Sequence, residues 1–327
     1  MTKNDREIIF QSTLAPLMAQ FIEEKHACGY RYLSSAMLLA SFDRFLAGEI
    51  LPPGELPPPI IRKWLAKKPH ESVRTHQRRI SIARQFALFM CRLGYHASVP
   101  DRSLAARNHT EFSPHILTQD EVEKILQAAD HLPLTARSPL RHLIMPEVFR
   151  LLYGCGFRLN EVLQLQVRDV DLNHGILTVR QGKFGKDRLV PPALSLVLRL
   201  QKYTAMFGVR PPEAFFFPSP QGGPWSIKTI YHIFRQLLLQ CGISHAGRGK
   251  GPRVHDLRHT FAVQTLLRWY REDADLNAKL PVLATYLGHQ SMEETQLYLH
   301  LTAELFPEIV IRANAEFGDI IPRRITS

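Results

Sequence analysis

No apolar run in this sequence approaches the roughly 20 residues that a membrane-spanning helix needs. The opening MTKNDREIIF is charged at Lys3, Asp5, Arg6 and Glu7, and no signal-peptide core follows it. Cysteine is scarce: Cys28, Cys91, Cys155 and Cys241 lie far apart without a CxxC pair, which argues against a zinc cluster and a disulfide framework. A reduced, cytosolic protein is expected. Internal repeats and long low-complexity segments are also missing. Acid is in deficit, with 30 Asp plus Glu against 41 Lys plus Arg, a net charge of +11. That excess favours a polyanionic partner, although charge alone does not separate nucleic acid from an anionic membrane surface.

At 327 residues the chain suits two domains. Residues 1–110 read as helix and loop. One helix covers about Leu14 to Cys28 and stops at Gly29; a second runs from about Ser34 to Ala47. LPPGELPPP breaks the pattern, since proline cannot continue either helix. A short helix follows around Ile60 to Ala66, and a long one from about Ser72 to Leu93, stopped by Gly94. On the long helix Val73, Ile80, Ala83, Ala87 and Met90 form an apolar stripe, and Arg74, Arg78, Ser81, Gln85 and Arg92 a separate polar one. A solvated face is the ordinary fate of such a stripe. Here no acid interrupts Arg74, Arg78, Gln85 and Arg92, and Arg79 and Arg84 lie nearby, a mixture suited to phosphates and base edges. DNA contact by these residues is therefore expected.

Residues 98–115 lack apolar periodicity and read as a linker, so the second domain is assigned to residues 111–327, ending in a C-terminal tail. Thr118 and Glu121 have the spacing of a capping box and open a helix through Val122, Ile125 and Leu126. Another helix covers about Leu140 to Tyr153, and Pro146 should bend it or shift its start. Gly154 and Gly156 then permit a tight turn that delivers Arg158 to the entrance of a short helix, with Glu161 one turn on to orient its guanidinium. Val167 to Asp171, Ile176 to Arg180 and Arg188 to Pro191 read as three short strands, with Lys183 in the second turn. A lysine in such a hairpin is ordinarily just solvated. Helices are expected over about Ala193 to Phe207 and Ser226 to Cys241, with FFFPSPQGGPW a buried loop between them. SHAGRGKGPR is either a flexible loop or a phosphate contact through Arg248 and Lys250.

The densest chemistry lies between His255 and Tyr298. His255 and Arg258, three apart in HDLRHTFA, leave one helix face and can meet one anion. In LATYLGHQSMEETQLYLHL, Ser291 and Glu294 have capping-box spacing, so a helix should start just after His289 and carry Tyr298 two turns along. His255 and His259 at i, i+4 raise the question of zinc, but Asp256 stands where HExxH has Glu, and Arg258 between them would repel a dication. Taken alone, a helical tyrosine beside Leu297 and Leu299 is more often a core residue than a nucleophile. Imidazole, guanidinium and phenol together become one candidate site, with the donors and the hydroxyl that phosphoryl transfer without a metal would require.

With Arg158, Lys183, His255, Arg258, His289 and Tyr298 in this order, the chain resembles the tyrosine recombinase (phage integrase) family. The matching pieces are GFRLNEVLQLQVRDVDL, GKFGKDRLVPP, HDLRHTFA and LGHQSMEETQLYLHL. The resemblance implies a mainly α protein with a small three-stranded sheet: an N-terminal four-helix core-binding (SAM-like) domain and a catalytic domain, closing as a clamp around double-stranded DNA. It also implies that Arg158 and Arg258 hold the scissile phosphate, His255 and His289 bond to it or move protons, Lys183 protonates the leaving 5′ oxygen and Tyr298 attacks. His255 is the expected base. The product would be a 3′-phosphotyrosyl link, formed without metal, ATP or another cofactor. Four protomers in a DNA synapse and a cytoplasmic, nucleoid-associated location follow from the same likeness, with the tail either docked on a neighbouring protomer or packed in cis.

RWYREDADLNAKL, between Arg258 and His289, is longer than that interval usually is in the chromosome-dimer resolvases and looks more like the integrases of mobile elements. Two other readings stay open: a strand-relaxing topoisomerase of type IB chemistry, and a DNA-binding accessory protein with a decayed site. The helical N-terminal module and tail argue against the first, the intact hexad against the second.

Overall fold

The computed structural model describes residues 8–30, 32–104, 114–180, 187–247 and 251–301. The chain divides into two compact units, Met1–Phe112 and Ser113–Ser327. Lys183, Arg248, Lys250 and the tail lie outside the described residues.

The first unit contains α1 (Ala15–Ala27), α2 (Leu33–Leu46), α3 (Pro58–Leu65) and α4 (Val73–Arg92). α1 gives way to Gly29 at φ +83° and α4 to Gly94 at φ +86°, a left-handed conformation that glycine adopts without strain. Ser72 caps α4, its Oγ accepting from Thr75 N at 3.1 Å. Met18, Phe21, Leu39, Phe42, Trp64, Ile80, Ala83, Phe86 and Met90 pack into one core. The apolar stripe of α4 thus faces inward, while Arg74, Arg78, Gln85 and Arg92 are exposed.

Two neighbours of that polar stripe differ from expectation. Arg79 is buried: its Nη1 donates to Glu71 at 2.8 Å and its guanidinium lies 4.5 Å from the Trp64 ring centroid. A guanidinium so enclosed is part of the core packing. Nor is the surface around the stripe free of acid, because Glu24 of α1 pairs with Arg92. Arg78 donates to Ser34 Oγ at 3.1 Å, and Gln85 Oε1 accepts from the Tyr32 hydroxyl at 2.7 Å.

The second unit opens with α5 (Gln119–Asp130), whose capping box forms as expected: Thr118 Oγ1 accepts from Glu121 N and Glu121 Oε2 accepts from Thr118 N. α6 (Arg141–Gly154) runs on through Pro146, which sits inside the helix, and α7 (Leu159–Leu163) follows a tight turn. The sheet is antiparallel in the order β1 (Val170–Asp171), β2 (Ile176–Val179), β3 (Arg188–Val190). β1 is shorter than the sequence implied, because Val167–Asp169 forms a 3₁₀ turn held by the Asp169 side chain, which accepts from Gln166 N at 3.0 Å. α8 (Leu194–Ala205), α9 (Ile227–Gln240), α10 (Asp256–Arg271), α11 (Leu276–Leu287) and α12 (Met292–Gln296) complete the unit, with a 3₁₀ helix over Leu297–Leu301. Of the loop between α8 and α9, Phe216, Phe217 and Trp225 are buried, while Gln221 and Gly222 are exposed.

One large core joins α5, α6, α7, β2, β3, α8 and α9. A smaller one joins α10 and α11 around Ala262, Leu266, Leu283 and Leu287, and it includes Tyr298. Among the described residues no helix is long and apolar enough to cross a membrane.

Candidate active site

The turn from α6 into α7 fixes the first cation. Gly156, at φ +60°, lies so close to α10 and α11 that a Cβ there would come within 2.6 Å of Phe261 Cδ1 and 2.7 Å of Leu287 Cδ2. Arg158 follows as the N-cap residue of α7. Glu161 turns back to it, accepting from Arg158 N at 2.9 Å through Oε2 and from Nη1 at 2.9 Å through Oε1. Arg188, at the start of β3, also takes this carboxylate in a fork, at 2.9 Å and 2.8 Å. Burial by itself would raise the Glu161 pKa; the hydrogen bonds and charge of Arg188, joined by those of Arg158, bring it down to about 2.

The second cation comes from α10. Arg258 is almost wholly buried, with Nη1 donating to Gly156 O at 2.5 Å and Nη2 to Leu287 O at 2.8 Å. Arg158 reaches the same helix end, donating to Leu287 O at 3.4 Å and Gly288 O at 3.0 Å. The last carbonyls of a helix carry its negative dipole end and lack intrahelical partners, so they suit guanidinium donors. Gly288, at φ +67°, ends α11 there. Burial first, then the positive charge of Arg158, lowers the Arg258 pKa to about 10. Two guanidiniums held this close repel each other and attract an anion.

The imidazoles and the phenol lie around Arg258. His255 is the N-cap of α10 and His259 sits one turn on; their rings meet edge to face at 4.7 Å. Burial, with the charges of His259, Arg258 and Arg253, lowers the His255 pKa to about 4. Burial, Arg253 and Arg258 do the same to His259. Both rings are therefore neutral at pH 7. Tyr298, only 4% exposed, has its hydroxyl 3.2 Å from His259 Nδ1, and the His289 ring stacks on it at 5.9 Å. Burial raises the Tyr298 pKa, while the charge and hydrogen bonding of Arg258 pull it back. His289 Nδ1 and Thr295 Oγ1 share a hydrogen bond of 2.7 Å.

Of the six residues expected at the site, Arg158, Arg258, His255, His289 and Tyr298 gather here, and Lys183 lies outside the described residues. Arg74, Arg78, Gln85 and Arg92 belong to the first unit. Ser291 is the N-cap of α12, but its side chain makes no capping hydrogen bond, and Tyr298 sits on the following 3₁₀ helix instead of two α-helical turns along. Two residues were missed. Arg188 shares a strand face with buried Val190, so the period of two should have pointed it inward. The HxxxH spacing marks His259 as a metal-ligand candidate alone, although it is one turn from His255 on the same face. Tyr286, the nearest other tyrosine, donates to Pro191 O at 3.1 Å and packs against the large core.

The phage integrase family model matches residues 115–304. The putative integrase/recombinase y4rB of Sinorhizobium fredii is 30% identical over 314 residues, 94% of this chain and 99% of that one. The tyrosine recombinase XerC of Xanthomonas campestris pv. campestris is 31% identical over 230 residues, 70% of this chain and 65% of that one. Among solved structures, the Tn1549 transposon integrase in complex with a circular intermediate DNA superposes with a TM-score of 0.60 at 17% identity, covering 86% of this chain and 94% of that one, a likeness of fold. The family match spans more than half of the chain and the y4rB match nearly all of it, so the protein belongs to the phage integrase family of tyrosine recombinases.

Proposed function

We propose that the protein is a site-specific DNA recombinase of a mobile element, cutting and rejoining strands through a 3′-phosphotyrosyl intermediate with Tyr298 as nucleophile. One observation carries this reading: Arg158 and Arg258, a hundred residues apart in the chain, donate to a single carbonyl, and Arg258 also acts on the Tyr298 hydroxyl. A phosphodiester bound by this pair would have its non-bridging oxygens on the guanidiniums and its phosphorus within reach of the phenol.

The transition state gathers charge on its equatorial oxygens, and two fixed guanidiniums answer it without reorganising. Glu161 and Arg188 hold Arg158 in place. His255 and His289 contact the phosphate or move protons, and Lys183 protonates the leaving O5′. The phosphotyrosyl bond conserves the energy of the original ester, so rejoining needs no ATP, and no metal or other cofactor is invoked. The charged interval between Arg258 and His289 favours an element-borne integrase over a chromosome resolvase.

Arg74, Arg78, Gln85 and Arg92 are read as duplex contacts of the first unit. Arg248 and Lys250 are read as phosphate contacts. The tail stripe of Phe306, Ile309, Val310, Ala313 and Phe317 would join neighbouring protomers, four to a synapse, on the nucleoid.

A nicked suicide duplex tests the reading. The wild type should form a covalent adduct that maps to Tyr298, and Tyr298→Phe, which removes only the hydroxyl, should bind DNA and form none. An adduct that persists in the Phe variant, or maps to Tyr286 or Tyr270, refutes it.

A further inference from the structure

The histidine hydrogen-bonded to the Tyr298 hydroxyl is the second of HDLRH, not the first. His259 Nδ1 lies 3.2 Å from it, the rings 5.6 Å apart and tilted by 54°. His255 stands one turn back, its ring against the far imidazole. We propose that His259 takes the phenolic proton of Tyr298 during strand cleavage and returns it during rejoining. This deepens, and rests on, the reading of Tyr298 as the nucleophile.

A neutral imidazole carries one donor and one acceptor nitrogen, and a phenol donates to the acceptor. With the proton on Nε2, Nδ1 is that acceptor. The groups around this contact are Arg253, His255, Asp256 and Arg258 at the start of α10, Tyr298 on the 3₁₀ helix, His289 on the preceding turn and Glu294 on α12. Burial first, then the charges of Arg253 and Arg258, keeps His259 weakly basic, and burial keeps Tyr298 weakly acidic, so without DNA the proton stays on the phenol. A phosphodiester bound at Arg258 offsets the positive charge of that guanidinium, one of the groups that depress His259, and so raises its basicity. Arrival of the substrate thereby strengthens the base.

The step balances. The Oη–H bond breaks and its proton goes to Nδ1; the Oη–P bond forms; the P–O5′ bond breaks, and its electron pair leaves on O5′, which takes a proton from Lys183. In rejoining, the attacking 5′ hydroxyl gives its proton back to the lysine. Imidazolium then protonates the departing phenolate.

The test measures single-turnover adduct formation on the nicked suicide duplex from pH 6 to 9. His259→Gln keeps a polar side chain that cannot take a proton. Its rate at pH 7 should fall on the order of 10²- to 10⁴-fold at unchanged DNA affinity. It should then climb about tenfold per pH unit as the phenol ionises unaided, while the wild-type profile is much flatter, and added imidazole should restore part of the rate of His259→Ala. A variant rate equal to the wild type, or lower by the same factor at every pH without imidazole rescue, overturns the proposal. Should the variants lose DNA binding, nitrogen-15 NMR of the wild type decides: Nδ1 of His259 is expected unprotonated and must change shift in Tyr298→Phe, and a protonated Nδ1 overturns the assignment. A wild-type adduct on another tyrosine would instead overturn the reading of the site, whatever the His259 variants do.

Discussion

Arg158 and Arg258 donate to the same oxygen, the carbonyl of Leu287, at 3.4 Å and 2.8 Å. They come from different elements, the N-terminus of α7 and the first turn of α10. A third element, the C-terminus of α11, brings them into register. Like charges so close are tolerated because the helix end and Glu161 supply negative potential, and they remain poised for an anion.

Arg258→Lys should test that arrangement. Lysine keeps the charge but cannot serve Gly156 O and Leu287 O while also facing the phosphate, since its ammonium is a point donor. Losing one positioned donor for transition-state charge costs about 3–4 kcal/mol, so adduct formation should slow on the order of 10²- to 10³-fold with gel-shift affinity nearly intact. Slowing of less than tenfold would show that one donor suffices.

Glu161→Gln should change the acid limb of stability. The folded pKa of about 2 lies below the ordinary 4.5, so its contribution is fully present above about 4.5 and is lost as pH falls through about 2. That difference corresponds to a contribution on the order of 3 kcal/mol for this nearly buried carboxylate. Urea unfolding of the Gln variant should give lower stability at pH 7 and a flatter slope between pH 4.5 and 2. Parallel curves would assign the acid sensitivity to other groups.

Arg74→Ala with Arg78→Ala should weaken duplex binding and reduce the slope of log K against log salt by about 1.8, two phosphate contacts at ~0.9 each. Arg92→Ala should cost less, because Glu24 already engages that guanidinium. Salt titrations by fluorescence anisotropy read both; equal slopes for all variants would remove α4 from the DNA interface.

Much of the fold was legible because its signals are local. Gly29, Gly94 and the Thr118–Glu121 pair mark helix ends through the backbone alone, and the α4 stripes follow from a period of 3.6. Ser291 and Glu294 have the same spacing, yet no capping bond forms, so spacing there gave the helix start without its chemistry. The Arg188–Glu161 fork joins residues 27 apart across a strand and a helix, a pairing that nothing in either neighbourhood announces. Arg79 read as a surface cation because Glu71 lies outside its helix and Trp64 on another. At the site, order along the chain identified the residues, but which histidine meets the hydroxyl depends on how the 3₁₀ helix docks on α10, a matter of packing.

The charged interval after Arg258 has a consequence for how such chains diversify. RWYRED and the residues after it do not lie across the site: they lengthen α10 as far as Arg271, turn at Asp273, and restart α11 under an Asp275 cap that accepts from Asn277 N and Ala278 N. Both ends of the detour are tied down, by Arg258 on the Leu287 carbonyl and by the shared packing of Leu266 and Leu283. Whole turns can be added to or removed from this helical hairpin at its distal tip while the reacting groups keep their separation. Loop length here is thus decoupled from chemistry, leaving the tip open to acquire contacts of its own.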